Sequence, residues 1–168
     1  MMRQWIWGIR VWSVLLMVCL APALAAEKGE KPQLEGKTVA AKPFRLDALR
    51  GKVVLVLYWS TDCAVCRDKM PELRANVQGW VGKPFELVSV STDRNLKDAL
   101  DYEQIVSRLV PLPQRFSLIW AGDAGYRDTF GKPLQLPTTY LLDKTGTVVE
   151  KYTGRIPPEA WDKIAEML

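Results

Sequence analysis

The sequence predicts a single α/β domain, with a partly parallel sheet that is covered by helices and carries an antiparallel hairpin at one side. The run Val53–Trp59 is continuously apolar rather than alternating, which is typical of a strand covered on both faces. Segments with helical spacing of apolar residues, such as Leu96–Leu109, alternate with such strands. The 168 residues, 48% of them hydrophobic and 25% charged, suit one globular domain.

The same patterns place the individual elements in order along the chain. The predicted elements are a short strand and turn over 44–49, a strand over 53–59, a helix over 63–77, a strand over 85–91, a helix over 96–109, a strand over 116–120, a small helix over 123–131, a hairpin over 138–142 and 147–152, and a last helix over 157–168. Pro71 is expected to kink the first helix, and Pro111 to end the second.

Residues 1–26 predict an export segment. They hold two arginines, no acidic residue and an apolar run over 11–20, followed by the small residues Ala23 and Ala25. This arrangement is typical of a secretory signal peptide, and the apolar stretch is short for a membrane span of about 20 residues. An uncleaved N-terminal anchor, with tryptophans near the membrane interface, stays open as the alternative. Both alternatives place the rest of the chain outside the cytoplasm.

The remainder divides into a predicted flexible leader over 27–42 and a folded domain over 43–168. The leader is polar and lacks an apolar period. The net charge is +4, and +2 once the two arginines of the export segment are left out, so nothing predicts a nucleic-acid partner. The chain has no histidine, which excludes His-dependent catalytic triads and His-ligated haem, zinc or copper sites.

Cys63 and Cys66 are the only cysteines after the export segment. A disulfide that spans only two intervening residues closes too short a loop to stabilise a fold much. The pair is therefore predicted to take part in a reaction rather than to stabilise the fold. Residues three apart on a helix share a face, at a separation near the range that a disulfide spans. Cys63 would sit at the helix N-terminus, where the partial positive charge stabilises a thiolate. Cys66 would lie one turn further in, so one sulfur attacks and the other resolves.

Three other uses of the cysteine pair have less support. Structural zinc needs four ligands, which this chain lacks after residue 26. An inert local disulfide and a copper or other soft-metal relay site stay open, since two thiolates can hold a soft ion. No metal site and no cofactor is predicted.

Trp59 and Pro137 are further candidates for the site. Trp59 either packs in the core or touches a partner chain, since aromatic side chains bury large areas in both cases. Pro137 either marks the start of a strand or forms a cis peptide bond that exposes the backbone of Leu136 to a partner.

The stretch GKVVLVLYWSTDCAVCRDKMPEL, with LPTTYLLDKTGTVV downstream, resembles exported thioredoxin-like proteins of the TlpA/ResA kind over about residues 43–168. The resemblance implies a thioredoxin-like fold: a central mixed sheet flanked by helices, with a helical insertion between strands over about 92–114. It also implies thiol:disulfide oxidoreductase activity that reduces periplasmic protein disulfides. Protein disulfides such as those of apocytochrome c would then be the substrates, and a membrane electron conduit of the DsbD or CcdA kind the reductant.

The resemblance also assigns roles to individual residues. Cys63 becomes the nucleophile, Cys66 the resolving cysteine, and Pro71 the helix-kink proline. Pro137 becomes the cis-proline beside the cysteines, where Leu136 would meet the substrate.

Two departures from the family pattern concern the proton of the resolving thiol. Leu57 stands where thioredoxin has a buried acid, and Lys69 stands where ResA-like members have a glutamate. A buried carboxylate at either place would accept the proton of the resolving thiol. We therefore expect slower deprotonation of Cys66 here, by water or by Glu72.

Overall fold

The structure is a computed structural model that describes residues 26–168. The predicted export segment lies outside the described residues, except for Ala26. No helix among residues 26–168 is both long and apolar enough to cross a membrane.

Eight strands and three α-helices make up the described residues. In chain order they are β1 (Leu34–Lys37), β2 (Pro43–Arg45), β3 (Val53–Trp59), α1 (Ala64–Gly79), β4 (Phe85–Ser91), α2 (Leu96–Leu109), β5 (Ser117–Trp120), β6 (Arg127–Asp128), β7 (Thr138–Leu142), β8 (Val148–Thr153) and α3 (Glu159–Met167). Short 3-10 turns follow β2 and α2, at Leu46–Leu49 and Leu112–Gln114.

The central sheet has five strands in the order β5-β4-β3-β7-β8. Strands β3, β4 and β5 run parallel, whereas β7 is antiparallel to both β3 and β8. Every residue of β3 is buried, because its odd-numbered side chains face one core cluster and its even-numbered ones the other. The expectation of a covered, partly parallel sheet with a terminal hairpin is confirmed.

The polar segment over 27–42 is more ordered than its composition suggests. Instead of a flexible leader over 27–42, the chain forms β1, which pairs antiparallel with β2 and β6. Leu34 is 2% exposed in the core, and the Ala26 backbone N–H donates to the Phe130 carbonyl at 2.9 Å. One buried leucine among polar neighbours gave no visible period, so the sequence pattern missed this strand.

The predicted small helix over 123–131 is wrong. Asp123 caps a turn instead, since its side chain accepts from the Gly125 N–H at 2.9 Å, and the chain then enters β6. Pairing with β1 supplies the backbone hydrogen bonds that a helix would otherwise provide. Helix α1 runs through Pro71 as one element and ends at Gly79, two residues beyond its predicted end.

Candidate redox site

The two cysteines lie where β3 gives way to α1. Strand β3 ends at Trp59, a loop over 60–62 follows, and Cys63 caps the helix that begins at Ala64. Cys63 and Cys66 form a disulfide with their Cα atoms 5.2 Å apart. Cys66 is 2% exposed, whereas Cys63 is only half-buried, so Cys63 is the sulfur that a second protein can reach.

The Cys63 sulfur faces the free amides at the start of α1. The Cys66 backbone N–H donates to Cys63 Sγ over 3.1 Å. Once the disulfide opens, this hydrogen bond and the helix dipole favour the thiolate form of Cys63 over its thiol. The geometry therefore agrees with an attacking Cys63 and a resolving Cys66.

A narrow crevice lies against Cys66. It leaves about 10 Å³ for the centre of a water molecule, roughly the space that one water needs. Its lining brings together residues that are far apart in the sequence: Leu57, Cys66, Lys69, Glu72, Pro137 and Trp161. Leu57 faces this crevice from β3 at 2% exposure, so an apolar side chain stands where thioredoxin carries its buried acid.

Lys69 and Glu72 form an ion pair inside this crevice. Lys69 Nζ donates to Glu72 Oε2 at 2.8 Å, and Trp161 Nε1 donates to the other carboxylate oxygen at 3.1 Å. The hydrogen bond from Lys69, aided by that from Trp161, holds the pKa of the Glu72 carboxyl below its ordinary value despite partial burial. A carboxylate stabilised in this way is a weak proton acceptor.

The peptide bond between Leu136 and Pro137 is cis, as the resemblance implied. Pro137 lines the crevice beside Cys66, and its carbonyl accepts from the Gly154 N–H at 2.7 Å. Leu136 is half-buried and packs against both core clusters. The structure thus brings Pro137 to the crevice beside Cys66, and the contact of Leu136 and Pro137 with a substrate stays a prediction.

Trp59 is fully buried. Its ring meets Tyr102 of α2 edge-on with the ring centroids 4.6 Å apart, and its Nε1 has no hydrogen-bond partner among residues 26–168. In this disulfide form the side chain offers no exposed surface to a partner. The predicted substrate contact of Trp59 stays a prediction.

Sequence reasoning missed two residues that the fold brings to the site. Trp161 reaches Glu72 from α3, and Asp93 reaches the loop before Cys63 from the end of β4. The sequence pattern could have identified Asp93. It belongs to a polar run directly after the buried strand β4, and the carboxyl ends of the parallel strands β3 and β4 lie side by side. Trp161 carried no signal beyond the apolar face of its helix.

Comparison with known proteins agrees with this geometry. A family model described as the AhpC/TSA family matches residues 28–163. The thiol-disulfide oxidoreductase ResA of Bacillus cereus is 24% identical over 155 residues, which covers 84% of each chain. The thioredoxin-like protein YneN of Bacillus subtilis is 24% identical over 162 residues, with 92% of each chain covered.

A solved structure gives the fold directly. The thiol:disulfide interchange protein of the thioredoxin family from Chlorobium tepidum superposes with a TM-score of 0.66 at 22% identity. The match covers 86% of this chain and 98% of that one. The predicted thioredoxin-like fold is confirmed.

Proposed function

This chain belongs to the AhpC/TSA family, and from that premise we propose that it is an exported thiol:disulfide oxidoreductase that reduces disulfides of other proteins. The observation that carries the proposal is the unequal cysteine pair at the start of α1. Cys63 is accessible and its sulfur accepts a hydrogen bond from the Cys66 backbone N–H, while Cys66 is 2% exposed. Thiol–disulfide exchange needs one attacking and one resolving sulfur in this order.

The reaction proceeds in two exchange steps. The Cys63 thiolate attacks a substrate disulfide, forms a mixed disulfide, and releases one substrate sulfur as a thiolate that takes up a proton. Cys66 then loses its proton and attacks Cys63 Sγ, which frees the second substrate sulfur and closes the Cys63–Cys66 disulfide. Starting from the Cys63 thiolate, the cysteine pair loses two electrons and the Cys66 proton. The substrate disulfide gains the two electrons and two protons, and the second proton comes from water.

The site and the proposed periplasmic location both support the reducing direction. A strong oxidant needs an unusually stabilised thiolate, and the two residues between the cysteines, Ala64 and Val65, add no positive charge. A periplasmic location would place the chain among oxidised proteins, against which it would be kept reduced. Its electrons would come from a membrane conduit of the DsbD or CcdA kind, and apocytochrome c is one class of substrate.

A reductase assay tests this proposal. The reduced chain from Ala26 to Leu168 is mixed with a protein that contains one accessible disulfide, and free substrate thiols are counted by alkylation and mass. We expect one substrate disulfide reduced per chain, with loss of the reaction in Cys63→Ser. Absence of substrate reduction by the fully reduced chain would contradict the proposal.

Two alternatives use the same cysteines. A disulfide-donating oxidant would run the same steps backwards, and the reduction potential separates the two directions. A copper-binding or metallochaperone module would hold a soft ion between two thiolates without turnover. Titration of the reduced chain with Cu(I), beside the reductase assay, decides this case: tight one-to-one binding with negligible reduction of disulfides would favour the metal module.

A further inference from the structure

The loop that leads into Cys63 is anchored by a buried carboxylate outside the cysteine motif. Asp93 follows β4 and is 8% exposed. Its Oδ1 accepts both the Thr61 backbone N–H at 2.7 Å and the Thr61 hydroxyl at 2.8 Å. Its Oδ2 accepts the Ser91 hydroxyl at 2.6 Å. Hydrogen bonds to a carboxylate are stronger than those between neutral groups, so this is a firm attachment.

Both backbone groups of Thr61, its N–H and its carbonyl, are hydrogen-bonded. While Asp93 holds its N–H, the Thr61 carbonyl accepts from the Arg67 guanidinium on α1. Two residues further back, the Trp59 carbonyl accepts from the Thr92 N–H at 2.8 Å and from the Thr92 hydroxyl at 3.1 Å. The last residue of β3 and the middle residue of the loop before Cys63 are thus both tied to the segment 92–93.

This anchor matters most when the disulfide is open. In the disulfide form the bond to Cys66 holds Cys63 against the first turn of α1. In the dithiol that covalent link is absent, and the loop is positioned by noncovalent contacts alone. We propose that Asp93 is a positioning residue, which keeps Cys63 at the N-terminus of α1 while its sulfur is free. The proposal deepens the proposed thiol–disulfide function and rests on it.

Thermodynamic linkage turns this proposal into a redox measurement. Reduction by dithiothreitol breaks the Cys63–Cys66 bond, adds two electrons and two protons to the pair, and closes the reagent into its cyclic disulfide. If Asp93 stabilises the dithiol form more than the disulfide form, removing it shifts this equilibrium toward the protein disulfide. A residue that supports the fold equally in both forms would leave the equilibrium unchanged.

The test compares three variants of the 26–168 chain, which contains both sheets, all three helices and the core. We expect Asp93→Ala to shift the dithiothreitol equilibrium about tenfold toward the protein disulfide, a change of about 30 mV. Asp93→Asn keeps an acceptor oxygen for Thr61, so we expect a shift below threefold. The matched control is Ser89→Ala on β4, which removes the hydrogen bond that the buried Ser89 hydroxyl donates to the Ser117 carbonyl of β5 at 3.0 Å, and should leave the equilibrium unchanged.

Urea unfolding of each variant provides the second readout. We expect Asp93→Ala to lower the unfolding midpoint of the reduced protein more than that of the oxidised protein, and Ser89→Ala to lower both equally. Equal losses in Asp93→Ala, with an unchanged equilibrium, would overturn the proposal. If Asp93→Ala does not fold, Thr61→Val removes only the hydroxyl bond and must shift the equilibrium in the same direction, or the proposal fails.

These outcomes are separate from those of the proposed function. The equilibrium uses a small dithiol and needs no protein substrate. A chain that fails to reduce protein disulfides would refute the reductase proposal, whereas an Asp93 variant without a redox shift would refute only the anchor.

Discussion

The two sulfur atoms of the site differ in exposure, and that difference predicts separate phenotypes for their replacement. Because Cys63 is accessible and Cys66 is 2% exposed, we predict that Cys63→Ser abolishes attack on a substrate disulfide. Cys66→Ser should still attack and should accumulate a mixed disulfide, since nothing resolves it. Mass analysis after incubation with a disulfide-containing protein measures the adduct. An adduct formed by Cys63→Ser but not by Cys66→Ser would reverse the assigned roles.

The carboxylate of Glu72 predicts a pH dependence of stability. Its pKa is lowered in the folded protein from the ordinary value of 4.5, mainly by the Lys69 hydrogen bond. The resulting stability is present above pH 4.5 and is lost as the pH falls through the lowered folded value. We predict that Glu72→Gln loses stability at neutral pH and declines less on acidification below pH 4.5.

Thermal unfolding between pH 7 and pH 3 measures this effect. Glu166→Gln is the matched control, because Glu166 lies exposed on α3 and its side chain makes no hydrogen bond to another described residue. Parallel pH profiles for wild type and Glu72→Gln would contradict the prediction.

The same variant tests which group takes the proton of Cys66. Because Glu72 is held by Lys69 and Trp161 and its pKa is lowered, it is a weak base, and water is the better candidate. We predict that Glu72→Gln resolves the mixed disulfide at an unchanged rate, followed by stopped-flow release of substrate thiol. A loss of about a hundredfold or more would identify Glu72 as a general base instead.

The residues of the site differ in how visible they are from the sequence. Cys63, Cys66 and Pro137 were found because residue type and spacing carry their chemistry. Asp93 and Trp161 act through contacts between elements that are distant along the chain. No local pattern records such a contact, so only the packed fold shows it.

At the scale of elements, strand β1 gives a stability prediction. Leu34 on β1 is 2% exposed and packs in the core on the sheet face opposite α1. We predict that Leu34→Ala lowers the free energy of unfolding by about 2–5 kcal/mol, as for other buried leucines. Glu35→Ala on the same strand, with its exposed side chain, should change it by less than about 0.5 kcal/mol.

Urea unfolding monitored by tryptophan fluorescence checks both variants. If Leu34→Ala lowered the free energy of unfolding no more than Glu35→Ala does, the prediction would fail, and the segment over 27–42 would behave as a flexible leader.

The long elements were predictable from the sequence, whereas two short strands, β1 and β6, were not. Strand β3 is apolar along its length, β4 and β7 are rich in β-branched, aromatic and leucine residues, and α2 has a regular apolar face, so local pattern identifies them. Strands β1 and β6 have four and two residues, and they are stabilised by pairing with each other rather than by their own composition. That pairing is between segments distant in the sequence. It explains why the structure has a small sheet where the sequence predicted a flexible leader and a helix.

At the scale of the whole molecule, several elements meet at the carboxyl ends of strands β3 and β4. Strands β3 and β4 run parallel and end together, so α1 starts with Cys63 beside the segment 91–93. The hairpin β7–β8 brings Pro137 to the crevice at Cys66, and α3 brings Trp161. The arrangement leaves one sulfur open to a partner and shields the other, which is what two-step exchange requires.

The reduction potential of the Cys63–Cys66 pair tests the central claim most directly. The 26–168 chain is equilibrated with dithiol buffers of known potential, and its oxidised fraction is measured by thiol alkylation and mass. If the chain is a reductase, we predict a reduction potential near that of thioredoxin, about −270 mV. A value near that of DsbA, about −120 mV, would contradict this account and make the chain an oxidant of its partners.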